Sequence, residues 1–176
     1  MDEKHESLLF KILAGISGFS GFIIIIKTLL SYPKEQAVGE SFVAKEFIFP
    51  TALYTFHFKP VTLLVIFGFL WWTLGLEGFK KEIEKFPKWI KKLIFIFLAS
   101  SAFVFAYEAT HNFLLWMSFY TIYQGDLDLL AHQINPNTMP KPVNFNFISK
   151  IFSMFLAGSL YGLYFFHKIL KESEKP

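Results

Sequence analysis

LIFIFLASSAFVFAYEATHNFLLWMSFYTIY, residues Leu93–Tyr123, decides how the rest of the chain is read. Tyrosines aside, its only ionisable side chains are Glu108 and His111. A helix needs about 20 apolar residues to cross a hydrocarbon core ~30 Å thick, and this run exceeds that. A helix apolar on every face belongs in a membrane or inside a very large core.

Composition agrees. Hydrophobic residues make up 53% and aromatic residues 20% of the chain, and charged residues only 18%, against roughly 25% in soluble domains. All 17 basic residues are Lys, so the planar fork that grips phosphate or carboxylate in two-point fashion is missing. The net charge of +3 therefore reads as a topology signal and excludes a nucleic-acid footprint. With no Cys, disulfides, thiolate metal sites, thiol nucleophiles and c-type haem attachment are excluded.

Working outward, the sequence predicts an all-α integral membrane protein, an antiparallel four-helix transmembrane bundle in one domain over 1–176. Spans are expected at about 8–31, 60–79, 93–118 and 147–170. The acidic head Met1–Ser7 lacks the basic region of a secretory signal, so the first apolar segment reads as a retained helix. Lys11 and Lys27 stand at its ends, where their stems can carry the ammonium groups to the interface. Tyr32–Lys59 begins polar and becomes aromatic, and about 45–58 reads as an interfacial or re-entrant helix starting near Pro50. Pro60 suits the first turn of the second span.

Lys80–Lys92, KKEIEKFPKWIKK, holds six lysines and sets the orientation. With four spans, this loop and both termini share one side, which carries ten lysines outside the spans against four on the other. The excess predicts a cell-membrane protein with both termini cytoplasmic. The same cluster also suits an anionic lipid surface. Small residues at helical spacing, Ala14 with Gly18 and Gly158 with Gly162, offer faces for close helix packing. They serve either within the bundle or toward a membrane-protein partner or a second copy.

This orientation gathers potential ligands at the outer end. Glu108 and His111 lie about 22–27 Å from the inner end of their span at 1.5 Å per residue. His57 precedes the second span, and Asp126, Asp128 and His132 follow the third. A carboxylate inside a membrane is costly unless paired, hydrated or neutral. Glu108 and His111, three apart, share a helix face, and E-x-x-H is also how helical bundles present metal ligands. Glu108, His111, His132 and His57 are thus the metal candidates, with nitrogen and oxygen donors suited to copper, zinc or iron. A haem b pair from His57 and His111 would need the second helix to start before Pro60. The plainer alternative is a polar Glu–His pair that locks helices together. A di-iron site needs a second E-x-x-H and two more glutamates, which the chain lacks. Nucleophile-elbow, zincin and phosphate-loop motifs are absent.

In the order of its spans and the placement of Glu108, His111 and His132, the chain resembles the C subunit of membrane copper monooxygenases. Tyr107 stands where that family carries an acidic or amide residue, and the gap to the second His is longer here. The resemblance carries no activity across. The sequence therefore points to a small non-catalytic subunit or accessory of a membrane complex. The alternatives are a redox, metal- or haem-handling subunit with a site near the outer surface, and a small transporter component.

Overall fold

The computed structural model describes residues 3–30, 42–43, 46–50, 55–122 and 142–173. Helix α1 spans Glu3–Leu30, strands β1 and β2 span Phe47–Pro50 and Thr55–Phe58, and α2 spans Pro60–Gly78. A short α3, Lys80–Glu84, leads into α4, Lys88–Ile122, and α5 covers Pro142–Glu172. Among the described residues, four helices are long and apolar enough to cross a membrane: α1, α2, α4 and α5.

Local chemistry explains most boundaries. Pro60 opens α2 after an extended Lys59, as its fixed φ and missing N–H favour. Gly78 ends the same helix, and Phe79 turns the chain into α3 by donating its N–H to the Gly75 carbonyl at 2.9 Å. Pro87 precedes α4 and accepts from the N–H groups of Ile90 and Lys91. Pro142 opens α5 five residues earlier than the span expected at 147–170. At 35 residues α4 also outruns the expected 93–118 at both ends. It measures about 52 Å at 1.5 Å per residue.

The helix expected at 45–58 is not formed; the described part of that stretch is an antiparallel hairpin. Phe47 lies opposite Phe58, Ile48 opposite His57, and Phe49 opposite Phe56. Aromatic and β-branched residues in short alternating runs favour a pleated ladder, and the facing Phe47–Phe58 pair reinforces it. The apolar content was legible in the sequence, but its two-residue period outweighed the helix-start signal of Pro50.

Extensive packing joins α1 to α2, α2 to α5, and α5 to α4. Directions follow from the contacts. Gly21 of α1 faces Phe67 of α2, Gly18 faces Trp71, and Lys11 faces Gly78, so α1 and α2 are antiparallel. Gly68 meets Met154 and Trp72 meets Gly158, so α2 and α5 run parallel. Gly162 meets Leu98 while Phe105 stacks on Phe155, so α4 and α5 are antiparallel. The beginning of α1, the ends of α2 and α5 and the start of α4 therefore share one end of the molecule, and the hairpin lies at the other.

Each end has its own apolar cluster. Leu76, Ile83, Leu98, Phe165, Phe166 and Ile169 form the one beside the termini. Phe42, Val43 and Val61 form the one beside the hairpin, packed on Ile25, Phe147 and Ile151. Between them the outer helix faces stay uncovered: Phe97 is 69% and Phe103 76% exposed. Monomeric soluble proteins rarely expose apolar surface this continuous.

Candidate functional site

Among the described residues, the candidate ligands Glu108, His111 and His57 do not come together as a group that could hold a metal ion. Glu108 and His111 do fall on one side of α4, as their spacing requires, with Glu108 half-buried and His111 exposed. The His111 ring stacks on Tyr107 one turn earlier, with centroids 5.8 Å apart and planes within 6°. Among the described residues no hydrogen bond or ion pair joins Glu108 to His111. The helix absorbs the neighbouring polar group instead: the buried Asn112 amide donates to the Glu108 backbone carbonyl at 2.8 Å. His57 sits on β2 and pairs through Nδ1 with Glu46 Oε2 at 2.9 Å. Because α2 starts at Pro60, His57 is not a helical residue, and the condition for a His57–His111 haem pair is unmet. His132, with Asp126 and Asp128, lies outside the described residues. Among the described residues no three His, Asp or Glu side chains are close enough to hold a metal ion.

The small-residue faces are used inside the chain. A Cβ placed on Gly18 would lie 2.8 Å from the Trp71 ring, and one on Gly162 would lie 2.9 Å from Leu98 Cδ1. Gly158 lets the Trp72 indole come close enough to donate its N–H to the Gly158 carbonyl at 2.9 Å. That bond ties α2 to α5 at the middle of their parallel run. A carbonyl already spent in the α-helical ladder accepts a second donor here.

The densest polar organisation is at the end that holds the termini, where the sequence offered only a charge cluster. Ser7 donates its hydroxyl to the Gly78 carbonyl at 2.8 Å, satisfying one of the last acceptors of α2. Lys11 reaches across the same joint. Its ammonium donates to Glu82 at 2.6 Å and lies 4.7 Å from the centre of the Phe79 ring. The Lys11 hydrogen bond holds the Glu82 carboxyl below its ordinary value of 4.5. Lys91, buried at the start of α4, donates to the Glu84 carbonyl at 3.1 Å and so caps α3. Lys80 bridges Glu84 at 3.7 Å and Glu172 at 3.9 Å, joining α3 to the end of α5.

Below this layer, the Tyr161 hydroxyl of α5 donates to Glu77 Oε1 of α2 at 2.7 Å. Glu77 thus has a partner from another helix, which the lone carboxylate of a span needs. Beside it opens a cavity of about 470 Å³ between α1, α2, α3 and α5. Ser7, Phe10, Glu77 and Lys80 are its half-buried floor, and Glu6, Lys81, Glu84 and Lys168 its exposed rim. Sequence reasoning missed it because no local spacing unites residues drawn from four elements. The one available signal was Glu77, a carboxylate one turn short of a lysine cluster.

No known protein family, no curated protein and no solved structure matches this chain.

Proposed function

We propose that the chain is a multi-pass integral membrane protein whose helices form a transmembrane bundle, with both termini cytoplasmic. In this reading it serves as a non-catalytic subunit or accessory of a larger membrane assembly. The observation that carries the proposal is the long α4, which among the described elements packs extensively on α5 alone. Its opposite side, through Ile96, Phe103, Tyr107 and Leu114, is apolar and more than half exposed over several turns. The bilayer covers such a surface in part, but a helix of about 52 Å overruns a ~30 Å core, so part of it stands clear of hydrocarbon. The orientation rests on the lysine excess at the end that holds the termini.

A photo-crosslinking residue at Phe103 or Leu114 tests the assembly in native membranes. The expected result is one discrete heterologous polypeptide captured from both positions. Capture of lipid alone, with the detergent-solubilised protein running as a monomer, would sink the proposal.

A further inference from the structure

The cavity beside Glu77 is balanced in charge. Three lysines, Lys80, Lys81 and Lys168, and three glutamates, Glu6, Glu77 and Glu84, line it. Lys80 and Glu84 already engage each other at 3.7 Å. Lys81, which has a contact of its own and three N–H donors, and Lys168 then stand against Glu6 and Glu77. Two of these have no hydrogen bond or ion pair among the described residues: Glu6 on α1 and Lys168 on α5. The other carboxylate, Glu77, has one oxygen engaged by Tyr161 and keeps the second for a ligand. A purely anionic ligand would face two carboxylates, and a purely cationic one would face the lysines. Charge brought into a partly enclosed site is tolerated only when both signs find partners. The ligand that fits carries a phosphate and, a short distance away, an ammonium group with N–H donors.

The position names the source of that chemistry. Phe10 and Glu77 on the floor mark where the apolar lengths of α1 and α2 give way to the charged layer of Lys11, Glu82 and Lys80. In a membrane-spanning chain this is headgroup depth. We infer that the cavity binds the headgroup of an amine-bearing zwitterionic phospholipid, its phosphate at Lys81 and Lys168 and its ammonium at Glu6 and Glu77. The inference rests on the membrane reading above. It adds a specific lipid contact at the joint where α1, α2, α3 and α5 meet.

Native mass spectrometry of the delipidated full chain, titrated with single lipids, tests this. Diacyl phosphatidylethanolamine is expected to bind one per chain. Phosphatidylcholine, whose ammonium has no N–H, and phosphatidylglycerol, which has no ammonium, should bind about tenfold more weakly, the ratio that ~1.4 kcal/mol confers. Lys168→Ala and Glu6→Gln should each lower phosphatidylethanolamine occupancy by a similar factor. The melting midpoint in lipid-free detergent should stay unchanged, since neither side chain has a partner to lose among the described residues. Equal binding of the three lipids, or variants that retain full occupancy, would overturn the inference. So would displacement of the lipid by an equal concentration of soluble phosphoethanolamine, which would assign the site to a free metabolite. Alkaline carbonate extraction separates the two readings. Protein that stays in the pellet yet shows no lipid preference overturns the headgroup site alone, whereas protein released to the supernatant overturns the membrane reading with it.

Discussion

Gly78 is the position where a single added carbon has the clearest cost. A Cβ there would lie 2.9 Å from Lys11 Cγ and 3.0 Å from the Lys11 backbone nitrogen. The side-chain carbon could move, but the backbone of α1 is fixed by its own ladder, so the helices must part. Gly78→Ala should destabilise the protein by about 1–3 kcal/mol, the usual cost of overpacking. Gly15 is the internal control, because a Cβ there meets nothing within 4 Å. Gly15→Ala should be neutral or stabilising by up to about 1 kcal/mol, since Ala is the better helix former. Melting curves in one detergent check both; equal midpoints for the two variants would contradict the close approach.

Glu82 supplies a pH-dependent test at the same joint. Its carboxyl is held below 4.5 by the Lys11 hydrogen bond. A group depressed in the folded state contributes stability that is fully present above its unfolded value. That contribution disappears as pH falls through the lowered folded value. The midpoint difference between wild type and Glu82→Gln should therefore be constant from about pH 7 to 5 and shrink below about pH 4.5. A difference that grows on acidification would reject the Lys11–Glu82 contact. By contrast, His111 is exposed and touches Tyr107 rather than a carboxylate. His111→Ala should change the midpoint by no more than about 0.5 kcal/mol equivalent, as surface substitutions do. A loss several times larger would restore the helix-locking role for the Glu108–His111 pair.

Among elements, α2 and α5 hold the centre of the row, and their parallel contact depends on the Trp72 indole and the Gly158 carbonyl, 2.9 Å apart. Trp72→Phe keeps an aromatic ring and removes the donor. The expected cost is about 0.5–1.5 kcal/mol, nearer the low end inside a bilayer, where such bonds average ~0.6 kcal/mol. Thermal unfolding of the variant measures it. An unchanged midpoint would assign the helix contact to packing alone. The hairpin Phe47–Phe58 is a separate element, tied to α1 by Lys27, whose ammonium lies 4.7 Å from the centre of the Phe47 ring. The segments that flank it are joined as well: Lys59 donates to the Val43 carbonyl at 2.9 Å. The hairpin lies beside α1 and α2, sharing a cavity with Ile23, Lys27 and Leu63.

For the whole molecule, the decisive feature is that the beginning of α1, the end of α5 and the lysine-rich turn share one end. Contacts fix this independently of any membrane: Ser7 bonds Gly78, and Lys80 bridges to Glu172. A chain without cysteine is well suited to single-site labelling. In intact cells an impermeant thiol reagent should label Ile48→Cys on the hairpin and leave Ser173→Cys unlabelled until the membrane is opened. The reverse pattern would invert the proposed orientation, and labelling of both in intact cells would contradict four crossings.

By itself, the sequence determined that four long apolar helices form and roughly where they lie. Hydropathy over some twenty residues, proline at the first turn and lysine at the ends are local signals. Gly18, Gly158 and Gly162 were likewise legible as packing positions, because only small residues let helix backbones approach. Tertiary structure alone decided which helices touch, and in which direction. An apolar face carries no address, so nothing in α4 indicates α5 as its neighbour. It also decided that 47–58 is a hairpin, since strand pairing depends on a partner that lies outside each short run. The candidate site followed the same division. Glu108 and His111 stood out because a charge in an apolar run is a local anomaly, yet among the described residues they have no shared partner. The Glu77 cavity stayed hidden because each of its charges sits at a helix end, where charge is ordinary. Only the convergence of four elements turns those charges into a site.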